Sequence, residues 1–172
     1  EWLSIPDAQV RRLAETTFDR NVVVVAGAGT GKTTLLVNRL IHLLMREPLP
    51  VAITHVVALT FTNKAATEMK IRLRERLKAL LATDQDRRRI ADPGAVQVSD
   101  LRERYGLSSD EIAARASAAL HDVEKAQIGT LHSFAAHLLR LYPLESGVDP
   151  AFQTDDDELR FEEHFQAQWE LW

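Results

Sequence analysis

Three of the chain's seven glycines, Gly27, Gly29 and Gly31, fall within five positions and lead straight into Lys32, Thr33 and Thr34. Against the phosphate-loop pattern G-x-x-x-x-G-K-[ST], residues Ala26 to Thr33 match throughout, except that Ala26 stands at the first glycine. These residue types suit one ligand chemistry. Glycines let the backbone turn several N–H groups toward phosphate oxygens, and a helix starting at Gly31 aims its positive end at the same place. Lys32 adds a point charge for the β and γ phosphates. The Thr33 hydroxyl suits Mg²⁺, which takes few protein ligands and keeps several waters. The spacing therefore predicts a nucleoside triphosphate site built from Ala26, Gly27, Ala28, Gly29, Thr30, Gly31, Lys32, Thr33 and Thr34. Lys32 and Thr33 are its chemically active side chains, with Thr33 the metal ligand. A dinucleotide fingerprint fits less well, because it needs glycine where Lys32 stands and an acid after the next strand, which ends in "TFTN".

The elements around the loop are those such a site needs. Val22–Val25 is a β-branched run ending at glycine and predicts a buried strand of a parallel sheet. The stretch "KTTLLVNRLIHLLM" predicts a helix stopped by Pro48 and Pro50, and "HVVALTFT" (55–62) a second buried strand. Asn63 is expected to cap a long helix to about Ala82, giving a βαβ unit. A helix begins near Asp7, with Val10, Leu13, Ala14 and Phe18 at helical spacing. Residues 83–97 are polar, with "DQDRRR" and "DPG", and predict a mobile connection. Ser108 and Glu111 stand at capping-box spacing and open a helix to about Glu124. "AQIGT" (126–130) predicts a third strand, "HSFAAHLLRLY" a helix ended by Pro143, and "DDDELRFEEHFQAQW" an acidic amphipathic helix whose Asp155–Asp157 favour its N-terminus. The fold class is thus α/β, a P-loop parallel sheet flanked by helices. Residues 1–83 form its first part, 84–125 a helical insertion, and 126–172 the return to the sheet.

Composition excludes several classes. No stretch approaches the ~18 consecutive apolar residues that cross a bilayer, and the first residues lack a signal-peptide pattern. The absence of cysteine rules out disulfides and cysteine-ligated zinc and agrees with a cytoplasmic location. His121, His132 and His137 show no zinc spacing, and His132 beside Ser133 is no nucleophile pair, since helix neighbours do not face one another. The net charge of −4 is unevenly spread. Residues 149–172 carry eight acids and one arginine, which leaves +3 for residues 1–148, and 64–78 hold six basic and two acidic residues.

Three further stretches indicate what the triphosphate is used for. In "IPDAQ", Gln9 carries an amide that can both donate to and accept from an adenine edge. "ALTFTNKAATEMKIRL" and "IGTLHSFAAHLLR" each put Thr, Asn, His or Ser with a Phe at a predicted strand end, where a parallel sheet exposes its functional edge. Phe134 falls on the apolar face of its helix.

Together these stretches resemble, in family order, the first motor domain of a UvrD/Rep-type superfamily 1A helicase. "IPDAQ" resembles the Q motif, "AGAGTGKTT" motif I, "TFTNKAATEM" motif Ia and "GTLHSF" the following DNA-contact motif. The trailing "DPAFQTDDDELRFEEHF" is most similar to the AddA/RecB helicase–nuclease branch. The resemblance spans nearly the whole chain apart from about 83–125. It implies a RecA-like sheet, ATP and Mg²⁺ as cofactors, adenine contact by Gln9, and single-stranded DNA held by Thr60, Phe61, Thr62, Asn63, Lys64, Thr130, His132 and Ser133. It also implies 3′→5′ movement and a nuclease or helicase partner subunit for the parent protein. The family's motif II "DE", which holds the metal and activates water, is not found, so the chain is expected to be an N-terminal fragment that hydrolyses ATP negligibly by itself. Two other readings remain open at this point, a different P-loop enzyme such as a small-molecule kinase and a non-catalytic module with a decayed loop.

Overall fold

The computed structural model describes residues 7–27, 29–82 and 94–154. Ala28, most of the 83–97 connection and the acidic helix expected from Asp155 onward lie outside the described residues. The chain divides into two compact units, residues 1–131 and 132–172.

In the first unit the order is α1 (Asp7–Thr16), α2 (Lys32–Met45), β1 (Val57–Thr60), α3 (Asn63–Leu81), α4 (Val98–Tyr105), α5 (Ser109–Asp122) and β2 (Gln127–Thr130). Short 3₁₀ turns at Ile53–His55 and Val123–Lys125 lead into the two strands. β1 and β2 pair in parallel, with Val57, Ala58, Leu59 and Thr60 opposite Gln127, Ile128, Gly129 and Thr130. A helix-rich α/β arrangement with a parallel sheet is therefore present.

Helical periodicity builds the core. On α3, Met69, Leu73, Leu77 and Leu80 form one buried stripe. They meet Val37, Ile41, Leu44 and Met45 of α2 and Ile112, Ala116 and Ala119 of α5, with Ala58 and Ile128 supplied by the sheet. The basic face of α3 is partly neutralised within the chain, since Arg74 lies 2.6 Å and Lys70 3.8 Å from the Glu124 carboxylate, and Arg72 2.6 Å from that of Glu68. The predicted capping box forms, with Ser108 accepting from the Glu111 amide and the Glu111 carboxylate accepting from the Ser108 amide. Helix α4 has no counterpart among the predicted elements. Its own box, Gln97 with Asp100, lacks the usual Ser or Thr and is masked in sequence by the polar run before it.

Two expectations are corrected. Val22–Val25 is not a buried strand: residues 21–27 form no regular element, and Val23 and Val25 are 87% and 96% exposed. A β-branched run is a strand only where a neighbour takes up its N–H and C=O groups, and Val22–Val25 is not part of the β1–β2 ladder. Asn63 does not cap α3. Thr62 does, one residue earlier, in an extended conformation with its hydroxyl oxygen accepting from the Ala65 amide.

The second unit contains α6 (Leu131–Leu141), whose first residue lies at the division, and the short α7 (Pro143–Ser146), which opens on a proline. Arg140 donates to the Phe152 carbonyl at 3.2 Å and covers the Phe152 ring. Phe134 is half-buried. Among the described residues no helix is long and apolar enough to cross a membrane.

Candidate nucleotide and nucleic-acid site

The glycine loop adopts the geometry its composition demands. Gly29 and Gly31 have φ of +73° and +82°, left-handed conformations that a residue with a Cβ adopts only under strain. Gly31 is also the N-cap of α2 and brings no capping side chain, so the leading amides of that helix are not claimed by a cap. A helix end of this kind offers N–H donors and a positive dipole to an anion. Thr30 closes the loop by donating its hydroxyl to the Gly27 carbonyl at 2.8 Å. The Lys32 ammonium donates to the carbonyls of Ala26, at 2.9 Å, and Gly27, so its charge is held over the loop. Thr33 and Thr34 are half-buried at the start of α2. The donor set fits a triphosphate: paired glycine turns, an uncapped helix start, one ammonium and a threonine hydroxyl.

A cleft of about 500 Å³ opens beside the loop. Val10 and Leu13 of α1, the Val22–Val25 run and Leu35 supply its apolar walls, while Ala26, Thr30 and Lys32 join it to the loop. Gln9 lies on α1 and is exposed, but it is not among the residues lining this cleft.

At the sheet, the register puts Thr60 directly opposite Thr130 at the C-terminal ends of β1 and β2. The strands that lead into "TFTN" and "GTLHSF", far apart in sequence, therefore end side by side. Phe61 follows at once and is 93% exposed, so its ring is no part of the core. Thr60 donates its hydroxyl to the Thr62 carbonyl at 3.0 Å, fixing the turn between strand and α3. Asn63 and Lys64 are exposed on the first turn of α3, and Thr130 is buried. His132 and Ser133 are exposed on α6 in the second unit.

The region 7–169 matches the UvrD/REP helicase N-terminal domain. This chain belongs to that family. Its similarity to the A subunit of the ATP-dependent helicase/nuclease of Bacillus mycoides is 35% identity over 147 residues, covering 83% of the chain and 10% of the relative. To the protein of the same name from Bacillus licheniformis it is 35% over 137 residues, covering 80% and 9%. The chain thus spans about a tenth of the length of the curated relatives it matches.

Within this UvrD/REP-type domain, two arginines near the loop carry no signal in the motif pattern. Arg11 of α1 donates Nη2 to the Thr30 carbonyl at 3.0 Å while its Nε pairs with Asp7 at 2.7 Å. Arg72 of α3 reaches the Thr34 hydroxyl at 3.4 Å, so the helix that begins at the strand end also touches the start of α2. The Asp7–Arg11 spacing of four is a legible helix pair, but its reach to Thr30 depends on tertiary packing.

Proposed function

We propose that this chain is the ATP-binding and single-stranded-DNA-contacting part of an ATP-dependent DNA helicase or translocase that moves 3′→5′. The observation that carries the reading is the pairing of Thr60 with Thr130, which brings the strands leading into the two polar, Phe-bearing segments to a common end of a parallel sheet. The family membership and the phosphate-loop geometry support it. On this reading Gln9 contacts adenine, Gly27–Thr34 enclose the phosphates, Lys32 neutralises their charge, and the Thr33 hydroxyl holds Mg²⁺. Bound Mg²⁺ supplies charge neutralisation across the phosphates. Phe61 stacks under a base, and Thr62 donates its hydroxyl hydrogen to a phosphate while its oxygen continues to cap α3. Asn63, Lys64, Thr130, His132 and Ser133 complete the backbone contacts.

The same reading makes the chain part of a RecA-like motor domain. Residues 1–83 and 126–172 belong to that motor domain and 84–125 to an insertion. The parent protein, a cytoplasmic DNA-repair enzyme, works with a nuclease or helicase partner, in keeping with relatives whose name makes them one subunit of a helicase/nuclease. This chain alone binds nucleotide weakly and hydrolyses it negligibly.

Titration with a fluorescent ATP analogue in Mg²⁺ and with labelled oligo-dT tests the proposal. The chain should bind both, and Lys32→Ala should lose the nucleotide while retaining DNA. Failure to bind oligo-dT, together with phosphoryl transfer to a small acceptor, would replace the motor reading by a kinase. DNA-stimulated phosphate release by this chain would refute its hydrolytic silence.

A further inference from the structure

Arg11 and Thr30 are 19 positions apart, yet the guanidinium of one holds the carbonyl of the other. The Asp7 carboxylate fixes that guanidinium through Nε, and Nη1 lies 3.5 Å from where a side chain would begin at Gly31. A planar fork can serve a carboxylate and a carbonyl together, which an ammonium cannot do with fixed geometry. Thr30 in turn donates to the Gly27 carbonyl, which also accepts from Lys32. One hydrogen-bonded chain therefore runs from α1 through Arg11, Thr30 and Gly27 to the lysine of the phosphate loop. The cleft beside it is walled by α1 at Val10 and Leu13 and by the loop at Thr30 and Lys32.

We propose that Arg11 is a positioning residue for the nucleotide: it locks the phosphate loop against α1, so that phosphates on the loop and a nucleoside against α1 are bound in one register. The inference rests on the nucleotide-site reading above. A ligand spanning both parts gains from their being fixed before it arrives, whereas a ligand confined to the loop does not. Losing the clamp therefore weakens ATP more than it weakens inorganic tripolyphosphate, a distinction that simple loosening of the loop would not make.

The test compares ATP with tripolyphosphate, both with Mg²⁺, by calorimetry on the wild-type chain, Arg11→Met and Arg11→Lys. Arg11→Met, which keeps the apolar stem, should lose about tenfold in ATP affinity and less than about twofold for tripolyphosphate. Arg11→Lys should recover part of the ATP loss, and the melting temperature should follow neither change. Equal losses for both ligands, or an ATP affinity unchanged in Arg11→Met, would overturn the inference. A wild-type chain that binds neither ligand overturns the nucleotide reading and this inference with it. A wild-type chain that binds ATP while Arg11→Met is unaffected removes this inference alone.

Discussion

Acidification probes the packing behind the helix that follows the glycine loop. His42 of α2 is only 5% exposed, with Nδ1 3.1 Å from the Tyr105 hydroxyl of α4 and the two rings edge to face. Burial lowers its pKa from 6.5 to about 4, helped by the charges of Arg104 and Arg12 and opposed by Asp100. Between those values the unfolded chain binds the proton and the folded chain does not. Stability from this group is therefore complete above pH 6.5 and is lost as the pH falls toward 4. Linkage puts the loss at about 2 kcal/mol between pH 7 and pH 5, rising to about 3 kcal/mol below pH 4. Urea unfolding at pH 7, 6 and 5 measures it, with His42→Gln as the comparison, since glutamine keeps a polar partner for Tyr105. Glu15, whose pKa burial raises, changes stability in the opposite sense, but it does so in both proteins and cancels in the difference. The glutamine variant should be less stable at pH 7 and should lose about 2 kcal/mol less than wild type on going to pH 5. Parallel pH dependences for the two proteins would refute the assignment of a buried, neutral His42.

Other substitutions separate cap, core and surface roles. Thr62→Ala should cost about 1 kcal/mol in urea unfolding through loss of the α3 cap, whereas Asn63→Ala should stay within about 0.5 kcal/mol. Leu73→Ala, at a fully buried position of the α3 stripe, should destabilise by about 2–5 kcal/mol. Phe61→Ala should leave the melting temperature unchanged, because the ring is exposed, yet weaken oligo-dT binding by about 1–3 kcal/mol for a stacked base. An unchanged DNA affinity in that variant would remove Phe61 from the interface.

Features fixed by neighbours along the chain are legible in residue types alone. The Ser108–Glu111 box, the α3 stripe and the two left-handed glycines follow from residues acting over a few positions, and all three are present. The parallel partnership of β1 and β2 is legible in class, though not in register. What fails depends on partners remote in sequence. Val22–Val25 has the composition of a strand, but composition does not supply the edge that accepts its hydrogen bonds. The cap of α3 moves by one residue because Thr62 and Asn63 are both competent caps. The turn fixed by Thr60 on the Thr62 carbonyl places Thr62 in the extended conformation that a cap needs.

The loop shows how local and remote determinants combine. Its curvature comes from Gly29 and Gly31 and survives although the preceding valines form no strand. Its placement comes instead from side chains that reach it from elsewhere, Arg11 from α1 and Arg72 from α3. The cap of α3 is Thr62, directly after exposed Phe61 at the strand end, and about three turns later Arg72 reaches Thr34. Between these two contacts the buried stripe of Met69, Leu73 and Leu77 anchors α3 in the core. One helix thus carries both contacts, the Thr62 cap at its start and the Arg72 guanidinium near its middle.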